Sequence, residues 1–593
     1  MDKNRRVVTA GIALSLFFIA ACVATDKIVY PEMVANSAAI PPIESAPVIE
    51  PRLDIDSFSF TRNIYIDRHL EDDCDNYNVA LRACGSGSEL AFHSIKRAQQ
   101  SAAAGVLFLI RGGNYNEVLH VTTSGRADAY LGYSAYANEK VTLLDINSED
   151  SGEEYGAIWL DQVSYVLING IDVRGSIGFG RLLNAHYNII TNSEFNESTI
   201  WRNGRGKSKR GGLYVAFSHY NRIVNNRFYK GTDALALVHS NHNLVADNRM
   251  DLAGHDLWNI KCGSFNVIRN NLFSNKNQKL GSVFDCEKGS MSWHGNGEFA
   301  QQKERLNSTQ YNMIDNNIFK DAQHYYSTSG GNGIQYAGQN GIIRRNVFYH
   351  VNAGIGMASY KSEATYNYGN RIYNNTFHDN WCAAIAIGTP INNMTDNEYR
   401  NNILWNNQGF AASHCKENNG VQILLRSNKS VGRFINNNIA SSVDDDVLGI
   451  WGRLINHSLL SYYISIGLVE FIDTLEEDPL FVDQQENDYR LQASSPMIDS
   501  GAFLTTIISP TGSGNQLQLA DVKYFYDGFS IPGEVGDSIQ IQGQSETAII
   551  VKIDYEKQAI ILNKAMSWNQ GDGIALQYNG SSPDLGAIQY KAH

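Results

Sequence analysis

Asn266-Val267-Ile268-Arg269-Asn270-Asn271-Leu272-Phe273 is one copy of a pattern, Asn-x-apolar-x-Asn-Asn-x-apolar, that returns nine times between Asn188 and Ile439. Clear copies begin at Asn221, Asn312 and Asn370, and weaker ones at Asn188, Asn243, Gly341, Asn397 and Gly432. The intervals are mostly 22 to 35 residues, the range in which one coil of a solenoid fits. Alternating apolar positions read as short strands with one inward face, and Asn and Gly tolerate the bends between them. Stacked Asn amides can hydrogen-bond from coil to coil, satisfying buried turns. No 3.6-residue period survives across a copy, which excludes helical repeats. The expected architecture is all-β: a right-handed parallel β-helix.

Outward from the repeats, Asn63–Asp67 reads as a first strand, Leu90–Ala103 as a helical stretch and Gly105–Ile110 as a buried strand. Together they form an N-terminal cap over an otherwise open coil. Residues 503–580 contain alternating segments such as 538–542 and 548–553 and read as a small inserted β-barrel or sandwich module. That module could bind glycan or serve only as packing. The expected layout is a signal at 1–21, a tether at 22–58, the β-helix at 59–502, the module at 503–580 and a closing segment at 581–593.

The chain has 593 residues, with 48 basic against 61 acidic and a net charge of −13. That balance argues against a nucleic-acid partner, and a monomer is expected. Arg5 and Arg6 precede an apolar run from Val7 to Ala21 that is too short to span a bilayer. The run ends Ile19-Ala20-Ala21-Cys22, which resembles the bacterial lipoprotein lipobox. The resemblance implies acylation of Cys22 and a bacterial membrane-anchored lipoprotein at the outer membrane, periplasm or cell surface; an ordinary signal peptide is the alternative. Of the six other cysteines, Cys74 and Cys84 bracket a short loop and are the expected disulfide. Cys262 and Cys286 look equivalent in successive coils and are expected to stack inside.

Candidate chemistry follows from register. Aligning 235–239, 258–262 and 282–286 places Leu237, Ile260 and Phe284 inside, and Asn259, Lys261, Asp285 and Glu287 outside. Lys288–Gln310 stretches one interval to 46 residues and carries Trp293, His294 and Arg305; long loops on a rigid scaffold tend to carry function. His255, Lys279, Tyr325 and Tyr326 lie in nearby turns.

Gly112–Glu117, with its G-x-Y-x-E, resembles the first coils of the pectate-lyase-like superfamily. Residues 478–501 with Asp584–Ala587 resemble the closing motif of secreted bacterial β-helix proteins. Ile260-Lys261-Cys262-Gly263-Ser264-Phe265-Asn266-Val267-Ile268 resembles a stretch of the chondroitinase B and alginate lyase family, in which the lysine is the Brønsted base. One extra residue separates Lys261 from Asn266, and Phe284–Gly289 stands where that family has R-H-G. The resemblance implies a polysaccharide lyase acting on an acidic, uronate-containing polysaccharide. Lys261, His255 and Tyr325 are then the catalytic candidates. Trp258, Lys279, Trp293, His294, Arg305 and Tyr326 are candidates for substrate binding, and Asp285 with Glu287 for holding Ca²⁺. β-Elimination needs a base for the proton α to a carboxylate and positive charge for the dianion that forms. A surface ion pair between Lys261 and Asp285 is the inert alternative.

Two other functions stay open. A glycoside hydrolase could use paired carboxylates, although Gly254-His255-Asp256 is only a fragment of the polygalacturonase G-H-G. A non-catalytic surface protein could hold glycan on Trp258, Trp293, Tyr325, Tyr326 and Tyr336.

Overall fold

The structure is a computed structural model that describes residues 57–144, 156–175, 178–198, 212–275, 279–284, 309–322, 331–357, 367–388, 394, 396–407, 421–425, 431–442, 446–450 and 453–591. The expected signal, Cys22 and the tether as far as residue 56 lie outside these residues, as do Cys286, Asp285, Glu287, Trp293, His294, Arg305, Tyr325 and Tyr326.

Each repeat contributes one strand to each of three long sheets, of 17, 13 and 12 strands. One coil runs through Leu235–Val238, Leu244–Ala246 and Arg249–Asp251; the next begins at Trp258–Lys261. Pairing between coils is parallel and in register: Leu237 beside Ile260, Val245 beside Ile268, Met250 beside Phe273. Inward positions build one continuous core. Within it the last position of the repeat stacks, Phe273–Phe319–Phe348–Phe377, with ring centroids 4.7–4.9 Å apart, the spacing of neighbouring strands.

The asparagines divide their labour within the repeat. Its first Asn (Asn221, Asn243, Asn266, Asn312) and its sixth (Asn226, Asn248, Asn271, Asn317) are the buried ladders. Asn271 Nδ2 donates to Val245 O and to Asn317 Oδ1, while its own Oδ1 accepts from Asn248. The fifth-position residues Asn225, Asn270, Asn316 and Asn374 take φ of 50–56°. Asn reaches that left-handed region at low cost, and there it turns the chain at the corner.

The cap differs from expectation in detail. Arg62–Ile66 and Val106–Ile110 pair in parallel, but Leu90–Ala103 is not one helix. Glu89–Phe92 is a strand paired to Arg62–Ile66 and Cys74–Asn78, leaving only Ile95–Ala98 as α-helix, capped by Ser94. Sheet pairing of Ala91 and Phe92 outweighs local helix preference. Cys74 and Cys84 are disulfide-bonded, with Cα atoms 6.1 Å apart. Cys262 is also disulfide-bonded and lies at a corner with φ of 58°.

Near the C-terminus, Thr505–Leu576 holds a six-stranded antiparallel sheet. Its apolar side packs on the outward face of the 17-stranded sheet, against Val224, Leu244, Val267, Met313 and Tyr373. Arg344, itself buried, donates to Asp537 at 2.6 and 2.8 Å, and Arg269 reaches Glu534 at 2.7 Å. The chain then returns to the solenoid, where Gly586 N donates to Asn401 O at 2.9 Å. Among the described residues, no helix is long and apolar enough to cross a membrane.

Candidate functional site

The 13-stranded sheet carries the site. Its strands Leu235–Val238, Trp258–Lys261 and Gly281–Phe284 align Leu235, Trp258 and Gly281. Two residues earlier in each coil stand Asp233, Asp256 and Lys279, so two carboxylates and an ammonium occupy equivalent places in three successive coils.

This register corrects the sequence alignment of the third coil by one residue. Val283, not Phe284, lies in the core beside Ile260, and Phe284 lies beside Lys261. The cause is Gly281: a Cβ there would meet the Trp258 indole at 2.3 Å, so only glycine can stack on Trp258 from the next coil. Trp258 itself, expected as an aromatic platform, is 1% exposed and belongs to the core. It shares the parity of Ile260, and alternation turns both inward. Tyr336 is likewise a core residue.

Asp233 is buried and well partnered. Its Oδ1 accepts from His255 Nδ1 at 2.8 Å and from the Asp256 N–H at 3.3 Å. Its Oδ2 accepts from Asn259 Nδ2 at 2.9 Å and faces Lys261 Nζ at 3.8 Å. Burial works against its ionisation, but the His255 hydrogen bond and the Lys261 charge hold its carboxyl below the usual range.

Asp256 is its opposite. It is fully buried, and neither carboxylate oxygen has a hydrogen-bond partner; His255 Nδ1 stands 3.5 Å away. Burial first, with the Asp233 charge added, raises its pKa, against the cations His255, Lys279 and Lys261. Asn259 Oδ1 is a second buried oxygen without a partner. Two carboxyls driven apart by their surroundings mark a place where protons can be held and moved.

His255 is the accessible member, with its side chain 40% exposed. The hydrogen bond to Asp233 raises its pKa, burial opposes, and the charges of Asp256 and Asp233 add to the rise. With Nδ1 on Asp233, the ring can offer Nε2 to a ligand, the arrangement by which a buried carboxylate orients an imidazole for proton transfer.

Lys261 projects from the outward side of its strand, as its alternation predicts, but is only 9% exposed and ion-paired with Asp233. Lys279 is half-buried, with Nζ 5.9 Å from the Phe284 ring centre. The pairing expected with Asp285 falls outside the described residues, as does the expected Asp285–Glu287 cation site. Among the described residues, the atoms able to hold a metal are those of Asp233, His255 and Asp256, all within 4.8 Å of one another. The unpartnered carboxylate oxygens of Asp256 fit a hard divalent cation such as Ca²⁺. Asp233, Asp256 and Asn259 were not among the site residues read from sequence. The available signal was Gly231-Thr232-Asp233 against Gly254-His255-Asp256, one coil apart.

A family described as "Right handed beta helix region" matches residues 156–296. The scaffold is a right-handed parallel β-helix. No curated protein matches the chain. Among solved structures, pectate lyase Pel9A is similar at 15% identity, over 77% of this chain and 95% of its own, with a TM-score of 0.40. A mannuronic acid specific polysaccharide family 6 lyase from human gut microbiota is 12% identical over 67% of this chain and 92% of its own, with a TM-score of 0.42. The catalytic unit of a GH87 α-1,3-glucanase from Streptomyces thermodiastaticus is 11% identical over 70% and 69%, with a TM-score of 0.39.

Proposed function

We propose that this chain is a polysaccharide lyase that cleaves a uronate-containing polysaccharide by β-elimination at the corner formed by Asp233, His255 and Asp256. The observation that carries this reading is the half-exposed His255 ring, held through Nδ1 by a buried carboxylate. Neutral His255 removes the proton α to the uronate carboxylate at Nε2; the β glycosidic C–O bond then breaks as the C=C bond forms, and the imidazolium returns its proton to the leaving oxygen. Asp233 fixes the ring and stabilises the imidazolium that forms, and the Lys279 ammonium one coil on favours the dianion. Lys261 acts through Asp233 as a positioning residue, since burial and its ion pair keep it from the substrate. A hard divalent cation bound at Asp233 and Asp256 would offset the charge of those two buried carboxylates behind the His255 ring.

Hydrolysis is the poorer fit for this pair of acids. Two carboxyls that flank a glycosidic bond stand about 5–9.5 Å apart with the sugar between them. Asp233 and Asp256 are only 1% and 0% exposed, so no sugar ring fits between them. The test is a panel of uronate polymers assayed for unsaturated, ultraviolet-absorbing ends, with His255→Ala as control. Absorbing product from the parent chain and none from the variant supports the reading. New reducing ends without that absorbance would make it a hydrolase, and glycan retention without cleavage a binding protein.

A further inference from the structure

A second polar cavity lies on another face of the solenoid, in the seam between the 17-stranded sheet and the C-terminal module, with a volume of about 580 Å³. The solenoid supplies Arg371, Asp396, Glu398 and Arg400; the module supplies Asp521, Lys523 and Tyr524, with Phe503 and Leu504 as an apolar flank. Every charge there is held by another. Arg371 binds Asp521 at 2.5 and 2.8 Å and Asp396 at 3.2 Å, and Lys523 Nζ binds Asp396 at 2.6 Å. Arg400 donates to the Tyr524 hydroxyl at 3.1 Å and to Glu398 at 3.3 Å, and the same hydroxyl donates to Glu398.

Two features define the ligand class. The wall carries three cations and three carboxylates, a formal sum of zero, so it presents no net charge to draw a phosphate, a uronate or a metal ion. It is nevertheless dense in donors and acceptors fixed before any ligand arrives, beside the Phe503 ring and the exposed Ala520. Fixed polar groups of both signs next to an apolar flank match a pyranose, which has a hydroxylated rim and an apolar face, and pre-ordering lowers the entropy lost on binding. The volume lies within the usual range for a small-ligand site. We propose that this seam is a carbohydrate-binding site for a neutral saccharide unit, separate from the His255 corner.

Thr506 and Ala520 line the cavity and are both exposed, so a bulky side chain at either fills the space without removing an ion pair. The experiment titrates the full chain with glucose, galactose, mannose and xylose, their disaccharides, and glucuronate, using calorimetry and ligand-observed NMR. The expected result is saturable binding of a neutral sugar, at least tenfold weaker in Thr506→Trp and Ala520→Trp with unchanged melting, and unaltered in His255→Ala. No neutral-sugar binding, binding undiminished in both Trp variants, or preference for glucuronate would overturn the assignment. Loss of turnover in His255→Ala with seam binding intact separates this site from the lyase reading.

Discussion

Asp256→Asn should make the metal-free protein more stable while weakening its function. Asp256 lies in a fully buried position with no hydrogen bond to either oxygen, and its ligand atoms lie within 4.8 Å of those of Asp233. Two like charges at that separation repel by about 3–4 kcal/mol at an effective dielectric of ~20. The cations Lys261, Lys279 and His255 offset part of this, leaving a net gain for the amide of roughly 1–2 kcal/mol, within the ordinary range of single substitutions. The pH dependence has a definite sign. Folded Asp256 keeps its proton to higher pH than the unfolded chain, so its ionisation costs stability as pH rises through the folded pKa. The variant's advantage should therefore grow from acid to neutral pH. Urea denaturation in chelator at several pH values measures it, and added Ca²⁺ should stabilise the parent but not the variant. A loss of 1 kcal/mol or more at neutral pH would mean that the Asp256 carboxylate anchors the fold, and the reasoning would be wrong.

Asp233→Ala should do the reverse, costing about 3–5 kcal/mol in denaturant melts, because it takes a shared carboxylate from His255, Asn259 and Lys261 and leaves a buried gap. With His255 as the base, kcat/KM should rise with pH through its raised pKa. Asp233→Asn should shift that limb to lower pH, which a merely structural role would leave in place. Asn271→Ala should cost about 2–4 kcal/mol by leaving the Val245 carbonyl and the Asn248 N–H unpaired; a loss under 1 kcal/mol in urea would show that the ladder is not what holds the coils. We also expect Cys22→Ser to abolish lipid acylation, read as loss of the acyl mass and release from the membrane fraction.

The fold was legible because its repeat is written in residue chemistry. Asn suits both a buried amide ladder and a left-handed corner, and the apolar residues of each copy mark the inward phase. The site was half legible. Alternation turns Lys261 outward and, carried two residues back from Ile260, turns Trp258 inward, although the size of Trp258 suits a sugar contact. Matching Cys262 to Cys286 slips the third coil by one residue, because residue likeness does not register that Gly281 must sit on Trp258. Asp233 and Asp256 were missed because they precede the strands, where alternation no longer fixes direction; extending the Leu235–Trp258 alignment by two residues would have stacked them. The over-long helix at Leu90–Ala103 arose because local preference cannot register the strand that Ala91 pairs with.

A crystal structure of the His255→Ala variant bound to a uronate oligosaccharide tests the central claim most directly. The account predicts a uronate ring over the Asp233–Asp256 corner, its carboxylate toward Lys279 and its α carbon within reach of the missing imidazole. An oligosaccharide seated on another face, with this corner left to solvent, would contradict it.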